Sequence, residues 1–272
     1  MNDHKVLLIH GIRTQAEWQT DLQALFDSVP GVETIPLRYG YFDLLRFWLP
    51  FKWLREQPID RIEAQLDEVL RDPTHRMSII AHSYGCYVAA KVLERSAAFR
   101  ERLNYLIYCG SVLPDDYDWS RLEELNRDRI VNEASARDLL PVLAKTTTWG
   151  YGASGTFGFG DAKVRDRHHY RKHSDYMKRP FAERYWLPFI RDGAFVPSGD
   201  VGQKAPWWLS MLTVVQPKYV VPLLIAVAAL APAVCRRVPG ACSRALAFAA
   251  PGARTMPQAT LSPPAPIPSA TP

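Results

Sequence analysis

The chain has 272 residues, which is enough for one large domain or two small ones around a buried core. Hydrophobic residues make up 47% and charged residues 22%, a globular usage that excludes collagen-like, disulfide-stapled and wholly disordered chains. The formal net charge of +5 comes from the segment after residue 200, which has no acidic residue, so the balanced part before it does not indicate nucleic-acid binding.

This change of composition predicts a folded domain over residues 1–200 and a separate tail over 201–272, apolar at first and disordered towards its end. The first apolar run is too short for a secretory signal, so we expect the body in the cytoplasm. An uncharged run at 219–235 reaches the lower limit of a membrane span. It is either a membrane anchor or a soluble apolar segment, and Pro222, Pro232 and the positive charges after the run favour the second.

In chain order, short apolar runs alternate with segments of helical periodicity. The alternation predicts an α/β fold with a mostly parallel central sheet flanked by helices on both sides. The expected strands lie at 6–9, 32–37, 77–81, 103–109, from 129 onwards and, weakly, at 162–167, and the expected helices at 14–28, 60–70, 84–98 and 180–190.

An aromatic segment interrupts this rhythm where a strand should connect to a helix. Residues 39–53 contain seven aromatic side chains in fifteen positions. The segment is either a buried connecting helix or a flap over a ligand pocket or membrane-facing surface, so residues 39–56 are a candidate lid insertion.

The clearest motif is Ala81-His82-Ser83-Tyr84-Gly85, between the third expected strand and the helix that follows. This arrangement is typical of a nucleophile elbow, with alanine in place of the first glycine. The serine of an elbow lies on a strained turn above the sheet, and the residues two before and two after it must be small because they approach each other. The following helix N-terminus directs positive partial charge at the reacting site.

A second motif, His10-Gly11, ends the first apolar strand, 73 residues before Ser83. With these two motifs, residues 5–192 resemble the α/β-hydrolase family, and in particular its compact members that lack the first two strands. The resemblance implies an oxyanion hole made by the backbone amides of Ile12 and Tyr84.

The resemblance also implies the chain order serine, acid, histidine. We expect Asp138 as the acid, with Asp115, Asp116 and Asp118 as alternatives, and His173 as the base. The remaining candidates have supporting or surface roles. His10 is expected to hold the oxyanion loop with Gly11, His82 to pack away from the reaction beside Gly85, and His168 and His169 to face solvent.

These residues predict a serine hydrolase that cleaves a carboxylic ester through an acyl-enzyme and needs no metal or organic cofactor. The aromatic segment favours a lipid-like substrate. The same fold also carries amide, thioester and carbon–carbon bond cleavage, and it occurs as a non-catalytic binding or scaffolding module. The glycine-rich segment 150–160 is expected to form a flexible loop at the pocket rim. The oligomeric state does not follow from the sequence.

Overall fold

The computed structural model describes residues 3–12, 17–40, 44–200 and 205–237. Three expected features lie at least partly outside these ranges: the first residues of the helix at 14–28, residues 41–43 of the aromatic segment, and the Pro/Ala-rich end of the tail at 251–272.

Six strands form one parallel sheet in the order β2-β1-β3-β4-β5-β6. The strands are apolar on both faces, as expected when helices cover both sides of a sheet. The predicted fold class is therefore confirmed. The strand bounds are β1 His4–Ile9, β2 Val32–Leu37, β3 Arg76–His82, β4 Leu103–Cys109, β5 Ile130–Ser135 and β6 Arg165–His169.

Eleven α-helices lie within the described ranges. Alternate residues of β1 point into two different cores, Leu7 and Ile9 into the core under α3 and α4, and Val6 and Leu8 into the core under α1, α8 and α9. The helix bounds are α1 Glu17–Phe26, α2 Leu44–Trp48, α3 Lys52–Val69, α4 Tyr84–Arg95, α5 Ala97–Glu101, α6 Leu140–Thr147, α7 Ser154–Phe157, α8 Arg179–Tyr185, α9 Leu187–Asp192, α10 Trp207–Val215 and α11 Pro217–Arg237.

All four expected helices have different bounds, and α1 ends at Phe26 rather than at residue 28. Helix α3 begins at Lys52 and includes Pro58, because Pro58 lies on the buried face with Ile59 and Ile62, whose packing outweighs the missing backbone bond. The helix expected over 84–98 ends at Arg95, and the extended Ser96 caps α5 instead. The helix expected over 180–190 divides into α8 and α9.

The glycine-rich segment 150–160 is packed against the loop after β4, contrary to the expected mobile rim loop. The Gly152 amide donates to the Val112 carbonyl at 2.8 Å and the Gly155 amide to the Ser111 carbonyl at 2.8 Å. A Cβ atom on Gly155 would lie 2.2 Å from the Ser111 nitrogen. The glycines therefore permit close backbone packing rather than movement.

Contacts divide the chain after Val220, beyond the boundary expected near residue 200. Helix α10 belongs to the first unit, because Leu209 and Leu212 pack against Val142 of α6. No single helix in the described ranges is long and apolar enough to cross a membrane. Helix α10 and the segment Pro217–Ala231 reach that length and composition only together, with a bend of 52° between them.

Candidate active site

The carboxyl ends of β1, β3, β4 and β5 meet at one edge of the sheet because the strands are parallel. The loops that leave this edge carry His10 and Gly11 after β1, Ser83 after β3, Gly110 after β4 and Asp138 after β5. The loop after β6 returns to the same edge and carries His173, which contacts Gly110 and Asp138.

Ser83 occupies the strained turn expected for an elbow. Its φ of 56° and ψ of −121° lie outside the regions that ordinary residues prefer, and α4 begins at the next residue. A Cβ atom on Gly85 would lie 2.6 Å from the carbonyl oxygens of Ile9 and His10, so the turn requires glycine there. Ala81 is fully buried at the end of β3.

The loop after β1 lies directly against the serine. A Cβ atom on Gly11 would lie 2.8 Å from the Ser83 Cβ, and Ile12 lines the same cavity as Ser83. His10 Nδ1 donates to the Gly11 carbonyl at 2.6 Å, and the Tyr39 hydroxyl donates to the His10 carbonyl at 2.8 Å. Burial lowers the pKa of His10, which favours a neutral imidazole in this structural position.

Asp138 and His173 form a direct pair. His173 Nδ1 donates to Asp138 Oδ2 at 2.7 Å, and the carboxylate is fully buried. The other oxygen, Oδ1, accepts the Leu140 amide at 3.2 Å. With Nδ1 facing the carboxylate, Nε2 lies on the opposite side of the ring, where His173 borders the cavity that also contains Ser83.

The alternative acids lie elsewhere. Asp115 bonds the Lys145 ammonium and accepts the Ala153 amide at 2.7 Å, while Asp118 accepts the Ser120 amide at the start of a short 3-10 turn. Asp116 and Asp118 border a second cavity on the α3 and α4 side of the sheet. Of the four candidate acids, Asp138 is the one that bonds His173.

Two histidine predictions need correction. His169 does not face solvent: it is buried on β6, and its Nε2 lies 2.7 Å from Glu133 Oε2. His168, its neighbour on the strand, is exposed as expected. Side chains alternate between the two faces of a strand, so His168 and His169 point in opposite directions. The basic residues around them hid this strand pattern in the sequence.

His82 does not pack away from the site. Its ring lies 4.5 Å from the His173 ring, its Nε2 donates to the His173 carbonyl at 3.2 Å, and it borders the cavity. Burial, followed by the nearby charge of His173, holds the pKa of His82 well below its ordinary value. His82 directly precedes the candidate nucleophile. Its hydrogen bond, made by a neutral ring, thus connects that turn to the loop that carries the candidate base.

Ser135 is a residue that the sequence reasoning missed. It is fully buried at the end of β5, where its hydroxyl donates to the Arg171 carbonyl at 2.7 Å and accepts the Arg171 amide at 2.8 Å. It also accepts the Arg137 amide at 3.2 Å. One side chain therefore connects the turn before Asp138 to the loop before His173. A serine three residues before the candidate acid was the only signal in the sequence.

A buried ionic network behind the acid–base pair was also missed. Glu133 on β5 and Arg167 on β6 are register partners, and Arg167 Nε donates to Glu133 Oε2 at 2.9 Å. His169 and the indole of Trp186 bond the same carboxylate, the latter at 3.0 Å. Burial alone would raise the pKa of Glu133, but Arg167 and His169 outweigh it and lower the pKa.

The site opens into a cavity of about 440 Å³. Its size is typical of pockets for small organic molecules. Its wall is mostly apolar, and its polar lining residues are His82, Ser83, Thr147, His173 and Ser174. The apolar part comes from two helices, with Leu44, Phe47 and Trp48 of α2 facing Leu140, Leu143 and Ala144 of α6. Of the aromatic segment, Phe47 is buried and Trp48 is half-exposed at the cavity.

In this conformation the described residues include no hydrogen bond between Ser83 Oγ and His173. The acid–base half of the arrangement is formed, whereas the serine and the imidazole share only the cavity. Hydrogen bonds between catalytic groups are often long or misaligned before substrate binds.

No protein-family model matches the sequence, and no curated protein matches it. Among solved structures, the chain is similar to a hydrolase described as CIB-like from Thermoplasma acidophilum, with 15% identity, 70% of this chain and 87% of that chain covered, and a TM-score of 0.44. It is also similar to a pyrethroid hydrolase from Sphingobium faniae JZ-2, with 10% identity, coverage of 70% and 98%, and a TM-score of 0.46. Lipase B from Aspergillus fumigatus gives 9% identity, coverage of 78% and 56%, and a TM-score of 0.45.

Because these TM-scores lie below 0.5, the identification of the fold depends on the structure itself. The parallel strand order, the strained serine turn between β3 and α4, and the glycine loop after β1 all meet at one edge of the sheet. The chain therefore has the α/β-hydrolase fold.

Proposed function

We propose that this protein is a serine hydrolase that cleaves carboxylic esters with a hydrophobic acyl or alcohol group. The observation that carries the proposal is the buried Asp138–His173 pair, 2.7 Å apart, which borders the same cavity as a serine held at positive φ. The strained serine across the same cavity distinguishes His173 from His169, which bonds a buried carboxylate in the core.

In the proposed reaction, His173 Nε2 takes the Ser83 hydroxyl proton as Oγ forms a bond to the ester carbonyl carbon. The tetrahedral intermediate then collapses, the bond to the leaving alcohol breaks, and Nε2 returns the proton to that alcohol. Water attacks the acyl-enzyme by the same route and regenerates the serine. Asp138 holds the imidazole in the required tautomer and offsets its transient charge.

The backbone amides of Ile12 and Tyr84 are the proposed oxyanion donors. Tyr84 directly follows Ser83 at the start of α4, and Ile12 follows the glycine that contacts Ser83. Each such donor contributes on the order of 3 kcal/mol to transition-state stabilisation. Because Tyr39 and His10 hold the β1 loop through backbone carbonyls, they are proposed to preserve its position.

The cavity wall supports the hydrophobic part of the proposal. Phe47 is buried, and Leu44, Trp48, Leu140 and Leu143 line the cavity, so the wall offers apolar contact to a substrate chain. Described cavity-lining residues include no Lys, Arg, Asp or Glu. An ester with an uncharged hydrophobic group fits this surface better than a charged substrate does.

The competing proposal is a non-catalytic binding or scaffolding module on the same fold. A fluorophosphonate probe distinguishes the two, because it forms a covalent bond with an activated serine and not with an ordinary one. We expect the wild-type full-length chain to react, and mass mapping to locate the adduct on the peptide that contains Ser83.

The matched control is Ser174→Ala, because Ser174 provides a second hydroxyl in the same cavity. Ser83→Ala should abolish both the labelling and the hydrolysis of p-nitrophenyl esters, whereas Ser174→Ala should retain both. If the wild-type protein keeps its thermal unfolding transition but is not labelled, the scaffold proposal is favoured. If the label is found on Ser174, the assignment of Ser83 as the nucleophile is wrong.

A further inference from the structure

The mouth of the candidate cavity is surrounded by exposed apolar side chains. We define the mouth collar as Leu44 and Trp48 of α2 with Leu140 and Leu143 of α6. All four line the cavity, yet each remains 47–50% exposed. Large apolar side chains in contact with water at the entrance of a site are costly unless something covers them during function.

Helix α10 continues this exposed apolar surface. Its inner stripe, Leu209 and Leu212, packs against Val142 of α6, while its outer side exposes Trp207 and Val214 at 78% and 75%. Helix α6 thus carries Leu140 and Leu143 of the mouth collar and also contacts α10. Since α6 has eight residues and is about 12 Å long, the two exposed surfaces are close neighbours.

The junction after α10 is anchored to α6 as well. Lys218 Nζ donates to the carbonyls of Lys145 and Thr148, both at 2.7 Å, at the C-terminal end of α6. The position of α10 beside the cavity is therefore fixed by apolar packing along α6 and by charge-assisted hydrogen bonds at its end.

The chemistry of this surface selects its occupant. Residues 205–220 contain no acidic residue and one basic residue, Lys218, and α10 begins with paired tryptophans at 207 and 208. Tryptophan side chains at the end of an apolar helix face suit the interface of a bilayer. The bend of 52° after α10 also differs from a straight span and leaves α10 as a separate helix that can lie in the interface.

We propose that the mouth collar and the outer face of α10 form one membrane-docking surface that seats the cavity on a phospholipid bilayer. The inference rests on the proposed function in one respect: the docked protein would draw its ester substrate from the bilayer rather than from solution. The docking itself depends only on the exposed surface.

The test uses the full-length Ser83→Ala protein, so that binding is measured without hydrolysis. The probe is a set of vesicles made of equal parts phosphatidylglycerol and phosphatidylcholine, and binding is measured by co-sedimentation. On this background, Trp207→Gln with Val214→Gln, and separately Leu44→Gln with Trp48→Gln, should each weaken binding at least about tenfold. The matched control is Ala98→Gln, an exposed residue on α5 near the opposite edge of the sheet, and it should bind normally.

Two results would overturn the proposal: no vesicle binding by the parent protein, or binding unaffected by the α10 pair. If the parent protein binds no vesicles but forms a dimer in solution, and either pair of substitutions dissociates that dimer, then a second copy covers the surface instead. The proposed enzyme is tested separately by placing the α10 pair of substitutions in the protein that keeps Ser83. Because this pair lies outside the cavity wall, a fluorophosphonate should label that variant at the normal rate.

Discussion

Gly110 offers a direct test of the geometry around the acid–base pair. Its φ is +56°, and a Cβ atom there would lie 2.8 Å from both Nδ1 and Cε1 of His173 and 3.1 Å from Asp138 Oδ2. Ordinary van der Waals contact begins at 3.4 Å. In Gly110→Ala, the imidazole must therefore move by roughly 0.6 Å or more away from its present position, or the backbone must shift.

The change has two separable costs. A non-glycine residue at positive φ costs about 1–2 kcal/mol of stability wherever it occurs. Displacing a reacting group by about 1 Å can cost about 100-fold in rate, so we expect a fall in kcat of at least about tenfold for a shift of this size. Gly160→Ala is the matched control, because Gly160 has a φ of +63° with nothing within 4 Å of the added Cβ.

Both variants should show similar losses in the free energy of unfolding, measured by urea denaturation. Only Gly110→Ala should lose kcat on a p-nitrophenyl ester and react more slowly with a fluorophosphonate. Equal kcat in the two variants would refute the reasoning, because it would mean that the His173 ring does not lie beside residue 110 during the reaction.

The remaining predictions concern His82, which borders the cavity, and Glu133, which lies in the buried ionic network. His82→Leu removes the donor to the His173 carbonyl and should lower kcat about fivefold with little change in KM, while His82→Gln, which keeps an N–H donor, should recover most of the rate. Since burial lowers the pKa of His82 in the folded state, the unfolded state binds protons more readily, so the free energy of unfolding should fall as pH drops below 6.5 and fall less in His82→Gln. Glu133→Gln leaves Arg167 buried without its counter-charge and should destabilise the fold by about 3–5 kcal/mol in urea denaturation at neutral pH. Because the pKa of Glu133 is lowered on folding, its contribution is present above its ordinary pKa of 4.5 and lost as pH falls through the lowered value, so wild type and variant should converge in acid; a constant difference down to acid pH would contradict this assignment.

Much of the sheet was predictable because its signals are local. An apolar run buried on both faces needs only its own residues to be recognised, and the resulting α/β class is confirmed. Helix ends were less predictable. Pro58 is a helix-entry signal by itself, yet it lies inside α3 because the packing of the neighbouring face determines where that helix begins.

The candidate site divides in the same way. The strained turn at Ser83 could be inferred from five consecutive residues, because the motif is local. The steric need for glycine at position 85 is set by the carbonyls of Ile9 and His10 at the end of another strand, which only the tertiary structure brings there. Asp138 was one of several acids by sequence, and its contact with His173 depends on how two loops of different strands meet. The catalytic roles of these residues stay proposals.

The sequence by itself determined the alternation of strands and helices and the small-residue motif around Ser83, and its family resemblance implied the chain order of the candidate serine, acid and histidine. Only the tertiary structure decided that Glu133 meets Arg167, that His82 supports the His173 loop, and that the glycine-rich segment is packed. The physical reason is the range of the interactions. Periodicity and turn sterics act over a few residues, whereas these contacts depend on strand register and on loops brought together from 34 or more residues apart.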